Sequence, residues 1–365
     1  MGRLRESITV VLSSAWSTLL LRAYRRPLGF LLGLIAVPLV VIASATYAIS
    51  TSLWRAQTLH NLGVTARLGA EIIAETLDES SRFAELLAAE EGLVDELRRN
   101  ERENLAQRLK EALRFDTRLD LAVILAPTGS VLAASSDEPG WIKRDLSGQD
   151  AFLGARQGGW HPYVSSVYLQ EGLEMEKVVS VAVPITEHDA VVGLLEVQHR
   201  VEQIKSWIQK LRVEPEGFLF VVDHRDQLVV YPFQVLPGRP KIVSHWPPVA
   251  YRVPPDGGAL VFHDAQRGRR WLAGVHPVGE TGWRVVAVQP ERAAFQTLYR
   301  VFQTLGLLLL LLLVMTILVT LRWMRLHTLS LHLLRQNAKM LKQFQQQRSL
   351  DRSRPPERPQ GKSPA

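Results

Sequence analysis

The chain has 365 residues, with 43 Lys or Arg against 36 Asp or Glu, a formal net charge of +7, and no cysteine. The missing thiols exclude thiol catalysis, thiolate metal sites and iron–sulfur clusters, and suit an envelope domain that folds without disulfides. The positive balance invites a nucleic-acid reading, but no element interleaves basic and aromatic residues and the basic excess lies beside apolar runs, so no nucleic-acid partner is expected.

Residues 1–26 carry five Arg and one Glu and form a short basic segment. From Pro27 to Trp54 there is no charge, and a first transmembrane helix is predicted over 27–50. A cleaved signal peptide competes, with "ASA" at Ala43–Ala45 as its processing site. Against it stand the 26 preceding residues and an apolar run well above the roughly 7 to 15 residues of a secretory core. Pro38 is tolerable in a lipid-embedded helix, where the freed carbonyl is satisfied locally.

Residues 51–115 are rich in Ala, Leu, Glu and Arg, and Leu105, Leu109 and Leu113 recur four apart. This spacing predicts a long helix, interrupted or turned near Gly92. Beyond Phe115 the pattern changes to short apolar runs separated by turns. "LAVILAPTGSVLAAS" (121–135) and "FLFVVDHRDQLVVYP" (218–232) share a hairpin form. "VVSVAVPITEHDAVVGLLE" (178–196) aligns without a gap on "WLAGVHPVGETGWRVVAVQ" (271–289). The offsets are 97 and 93, so two copies of one module are expected, at 116–200 and 201–300.

Val301–Leu321 is uncharged, and its 21 residues reach about 31 Å as a helix, which spans a bilayer. Residues 322–365 carry ten basic and two acidic residues, whereas 55–300 carry 28 basic and 33 acidic. Both basic ends therefore belong in the cytoplasm of a bacterial inner membrane, with 51–300 outside it. The 44 residues after the second span are too few for an effector domain. The stretch 322–347 is predicted to be a helix that either lies on anionic lipid or passes a signal to a separate effector protein, and the Pro-rich remainder is expected to be disordered.

These features together resemble one family. A long helix leaving a first span, two tandem sheet modules, and "TGWRVVAVQPERAAF" (281–295) feeding a second span are similar to the double Cache sensor domain of bacterial chemoreceptors, sensor kinases and diguanylate cyclases. "DLSGQDAFLGARQGG" (145–159), "PYVSSVY" (162–168), "VVSVAVPI" and "GFLFVVDHRDQLVVYP" carry the same resemblance. It implies an α+β fold, with a long N-terminal helix and two PAS-like antiparallel-sheet modules between two transmembrane helices. It also implies a homodimer with a small-molecule ligand in the first, membrane-distal module. The second module is then structural, with Trp271 serving folding alone.

Family members that grip amino acids place Arg and Tyr in the stretch where this chain has Gln149 and Ala151, and an Asp where it has Gln198. That clamp is absent here. The remaining candidates for ligand contact are Arg156, Trp160, His161, Tyr163, Ser165, Tyr168 and Gln198. One cation, flat aromatic faces and hydroxyls suit a small organic acid or a polar ring compound. Trp160 and Tyr168 also fit as ordinary core, Arg156 as a solvated helix residue and His161 as a turn residue. The ten His show no HxxxH or HExxH spacing, and Asp223 and Asp226 read as turn formers, so no metal or cofactor is expected.

Nucleophile elbows, phosphate loops and dinucleotide fingerprints are all missing, which points away from an enzyme. The rival reading is a two-span envelope scaffold such as a polysaccharide chain-length regulator. That reading requires a mostly helical outer segment and a Pro-rich lead into the second span, and Glu291–Gly306 contains no Pro.

Overall fold

The structure, a computed structural model, describes residues 27–116, 118–138, 140–170, 176–233, 238–264, 268–322 and 325. The basic N-terminal segment, and all but the first few residues of the predicted helix at 322–347, lie outside the described residues. Two compact units emerge, one spanning Thr51–Thr297 and the other built on the apolar segments at either side of it in sequence.

In the apolar unit, helix α1 (Pro27–Ala88) begins and the last helix, α8 (Gln296–Arg322), runs its course. Both contain stretches long and apolar enough to cross a membrane. Val40, Ile42, Leu308 and Leu312 present more than half of their surface outward, which only an apolar surrounding makes favourable. Tyr47 and Phe302 meet edge to face with centroids 5.0 Å apart.

In the larger unit, α1 continues to Ala88, and α2 (Glu91–Arg99) and α3 (Arg102–Phe115) follow, so the interruption falls at residues 89–90, just before Gly92. Asn100 ends α2 in the left-handed region, with its N–H on the Glu96 and Leu97 carbonyls. The outer part of α1 is amphipathic. Leu62, Ala66, Ala70, Ile73, Leu77, Ser80, Ala84 and Leu87 recur at intervals of three and four and are all buried.

The first sheet holds β1 (Leu121–Leu125), β2 (Val131–Ala134), β3 (Tyr163–Val164), β4 (Tyr168–Gln170), β5 (Glu176–Glu187) and β6 (Ala190–Arg200). Its order is β2-β1-β6-β5-β3, with β4 also on β5, and every pairing is antiparallel. Helix α4 (Asp150–Gln157) covers one face, and α5 (Val201–Ile208) leads out. The second sheet holds β7 (Phe218–Val222), β8 (Leu228–Val230), β9 (Gly258–Asp264), β10 (Arg269–Val278) and β11 (Trp283–Pro290), in the order β8-β7-β11-β10-β9. It carries α6 (Pro247–Ala250) and ends in α7 (Glu291–Ala294).

The two sheets repeat one plan, down to single bonds. An isolated bridge joins Ser130 to Asp145 in the first and Gln227 to Ile242 in the second. Leu146 N–H donates to Gly129 O, and Val243 N–H to Asp226 O, at 2.9 and 2.8 Å. Such agreement accounts for the two spaced sequence matches. Among the described residues, eleven strands in two sheets depart from the mostly helical outer segment that a chain-length regulator requires.

Helix α1 lies behind both sheets. Its Ser80 Oγ is 2.9 Å from His199 Nε2 of β6. Lower down, Gly274 of β10 sits so close that a Cβ there would fall 2.3 Å from the Leu62 carbonyl carbon. The central strands are buried on both faces, one by α1 and one by the covering helices, so β1 reads as an unbroken apolar run rather than an alternating one.

Candidate ligand-binding site

Strand alternation decides which side chains of the first sheet face α4. Leu194, Glu196 and Gln198 share one face of β6, while Leu195, Val197 and His199 share the other. Opposite them, Ala182 pairs with Glu196 and Ser180 with Gln198 on β5. Leu194 and Ala182 belong to an apolar cluster with Trp141, Leu146, Phe152 and Ala155, against which Trp160 and Tyr163 pack. The face bearing Glu196 and Gln198 is thus the one covered by α4.

On this face four polar side chains converge. The Tyr168 hydroxyl donates to Glu196 Oε1 at 2.9 Å and lies 2.6 Å from Ser180 Oγ. Ser180 Oγ also donates to Glu196 Oε1, and Gln198 Nε2 donates to the Tyr168 oxygen at 2.9 Å and to Glu196 Oε1 at 3.2 Å. Burial, and next the Glu196 carboxylate beside it, push the Tyr168 phenol well above the ordinary tyrosine pKa, so it stays a donor. All three donors meet at one carboxyl oxygen. The other, Glu196 Oε2, and the amide oxygen Gln198 Oε1 are buried and have no hydrogen-bond partner among the described residues. Leaving such acceptors unmatched costs about 1 to 3 kcal/mol each, so two on one face mark a place where something else donates.

The sequence-predicted residues divide into three groups. Tyr168 and Gln198 belong to the buried cluster directly. Ser165, fully buried, supports it from behind: its Oγ accepts the Ser180 N–H at 2.9 Å and donates to the Ser166 carbonyl. Trp160 and Tyr163 pack beside it. Trp160 stands at φ 60 past the end of α4, its N–H on the Ala155 carbonyl, and meets Phe152 edge to face at 5.9 Å. A left-handed tryptophan costs about 1 to 3 kcal/mol, which its packing offsets. Tyr163 lies flat against α4 at Gly154, where a Cβ would fall 2.1 Å from the ring, so only glycine fits. Arg156 and His161 are exposed and stand apart from the cluster.

Glu196, Ser180 and Asp150 carry much of this geometry and are absent from the sequence-derived set. Period two along "LLEVQHR" is the signal that puts Glu196 beside Gln198. Asp150, in the first turn of α4, joins the two modules. Its Oδ2 accepts the Ser166 N–H at 2.6 Å and lies 3.4 Å from His224 Nε2, and its Oδ1 pairs with Arg225. Burial works to raise its pKa, but the His224 bond, the Ser166 N–H and the Arg225 charge outweigh it and hold the acid at about 2. Asp223 does more than form a turn: beyond the Arg225 and Gln227 N–H groups, it accepts the Val167 N–H of the first module at 2.9 Å.

The second module has a cavity of about 340 Å³ on the corresponding face of its sheet, with Phe218, Phe220, Tyr231, Trp246, Phe262 and Trp271 among its walls. Trp271 is therefore a wall residue of a cavity as well as a core residue of its sheet.

Residues 50–298 match the family model of the Cache domain. The ligand-binding domain of the Pseudomonas aeruginosa PAO1 amino-acid chemoreceptor PctB, in complex with L-Arg, superposes with a TM-score of 0.52 at 15% identity. The match covers 65% of this chain and 97% of that one. The ligand-binding domain of the Campylobacter jejuni chemoreceptor Tlp3, in complex with L-valine, gives 0.52 at 15%, covering 67% and 98%. The extracellular domain of the histidine kinase rpHK1S-Z16 gives 0.54 at 15%, covering 64% and 95%. No curated protein matches this chain in sequence. With two like-ordered antiparallel sheets behind one long helix and apolar helices on both sides, the chain belongs to the Cache domain family, in its double-module form.

Proposed function

We propose that this chain is a membrane-anchored extracytoplasmic sensor whose first module binds a small molecule carrying hydrogen-bond donors, on the α4 face of its sheet. The observation that carries this is the pair of buried acceptors, Glu196 Oε2 and Gln198 Oε1, left without a described partner beside an aromatic wall. Tyr168, Ser165 and Gln198 shape the polar end, Trp160 and Tyr163 the flat walls, and Arg156 and His161 form the solvent-facing lip. Glu196 changes the ligand class that the sequence alone favours. An acid on this face suits an amine or amide donor better than an organic acid, since a charge-assisted bond contributes about 1.5 to 3 kcal/mol.

PctB and Tlp3, in the complexes named above, hold amino acids, and Glu196 gives this chain its own acid with which to meet an ammonium group. The flanking charges support cytoplasmic termini and an outer sensor, the homodimer follows family habit, and the basic tail suits contact with lipid or a separate effector.

Thermal unfolding of the full chain in nanodiscs against a library of amines and their carboxylate analogues tests the reading. A ligand at about 100 times its Kd adds about 2.7 kcal/mol of stability. Glu196→Gln is expected to abolish that gain for amines while leaving the unliganded transition in place. Amines that stabilise the wild type and the Glu196→Gln variant alike would overturn the assignment.

A further inference from the structure

We propose that the second module carries a binding site of its own, an aromatic box that takes a small organic cation of the alkylated-ammonium class. It is separate from the site on the first sheet and does not depend on it.

The cavity, open to solvent on one side, holds about 340 Å³. That volume is of ligand-site size. Its position is also that of a site. Trp246 N–H donates to the Val243 carbonyl as Gln149 N–H does to Leu146, so Trp246 stands in the second module where Gln149 stands in the first, at the head of the covering helix. At this position the second module has a pocket between sheet and helix, walled by aromatic rings.

The walls favour a cation. Phe220 and Trp246 meet edge to face at 5.5 Å, Phe218 and Trp271 at 6.0 Å, and Tyr231 and Trp246 at 6.0 Å, a mutually braced set of electron-rich rings. Among the described lining residues Asp264 is the one acid, and the basic groups are the imidazoles of His245 and His263. Trp246 already receives one cation: Lys241 Nζ lies 5.9 Å from its ring centroid. Aromatic faces attract a cation through the ring quadrupole, most strongly where water is excluded, and alkyl groups on nitrogen add apolar contact with the same rings.

The test is calorimetric titration of the full chain in nanodiscs with choline and with its neutral isostere 3,3-dimethyl-1-butanol. Choline is expected to bind saturably, and the isostere at least about tenfold more weakly, because it lacks the charge. Trp246→Ala, and independently Tyr231→Leu, are each expected to weaken choline about tenfold. Glu196→Gln should leave choline binding unchanged, which separates this site from the one on the first sheet. Absence of saturable choline binding would overturn the proposal, as would equal binding of the isostere. So would choline binding that survives both second-module changes and is lost with Glu196→Gln.

Discussion

The Tyr163 hydroxyl of the first module lies 3.1 Å from Nε2 of His224 in the second, and the two rings meet edge to face at 5.9 Å. Tyr163 is also a wall of the first module's candidate site, pressed against Gly154 of α4, so anything that moves α4 moves a side chain bonded to the second module. A double-mutant cycle with Tyr163→Phe and His224→Ala is expected to give a coupling of about 1 kcal/mol in urea unfolding. Additive single effects would mean that the contact transmits nothing.

Asp150 supplies the charge at the same junction, and its effect depends on acidity. Its folded pKa of about 2 lies below the ordinary aspartate value of 3.8, so the stability it contributes is present above the unfolded value and is lost as pH falls toward 2. Asp150→Asn should cost about 2 kcal/mol at pH 7, from a shift of this size at about 1.4 kcal/mol per unit. The difference from wild type should shrink across the window between pH 4 and 2, measured by chemical denaturation at each pH. A cost that stays constant down to pH 2 would assign the loss to packing.

His199 acts at higher pH. It is fully buried between α1 and the first sheet, bonded to Ser80 and to the Arg118 carbonyl, and burial is the largest influence, drawing its pKa below the usual histidine value. Above the unfolded value of 6.5 both states are neutral and the shift has no effect. Below it the unfolded chain takes up a proton that the folded chain resists, so stability falls as pH drops. His199→Gln should flatten the stability profile below about pH 6.5. An unchanged slope would place the acid sensitivity elsewhere.

Gly274 marks the closest approach of α1 to the second sheet. Gly274→Ala sets a Cβ against the Leu62 and Gly63 backbone, which has no rotamer with which to yield. Overpacking of this kind costs about 1 to 3 kcal/mol. Gly148→Ala, with nothing within 4 Å of the added carbon, is the control in the same unit and should be close to neutral in the same unfolding assay.

Several elements are legible in the sequence because their signals are local. The uncharged runs at 27–54 and 301–321 mark the two long apolar helices, and the four-residue spacing of Leu105, Leu109 and Leu113 marks α3. The paired hairpins at 121–135 and 218–232 become β1–β2 and β7–β8. Tyr168 and Gln198, 30 positions apart, are hydrogen-bonded in the structure. Glu196 was within reach through its two-residue spacing from Gln198, but its burial becomes apparent only when β5 supplies Ser180 diagonally across from it.

The sequence by itself determined the class of this protein: two apolar spans, a helical lead and a duplicated antiparallel module, each written in residues that are neighbours along the chain. Periodicity of two or 3.6 is enough for that, because burial of one face repeats at the same interval as the backbone. The tertiary structure decided what the modules present. Asp150 finds His224 and Arg225 across a module boundary, and rings from Phe218 to Trp271 close around one cavity. Those contacts depend on how sheets and helices dock, and docking is set by side-chain shape and unpaired polar atoms across long separations, which no local spacing records.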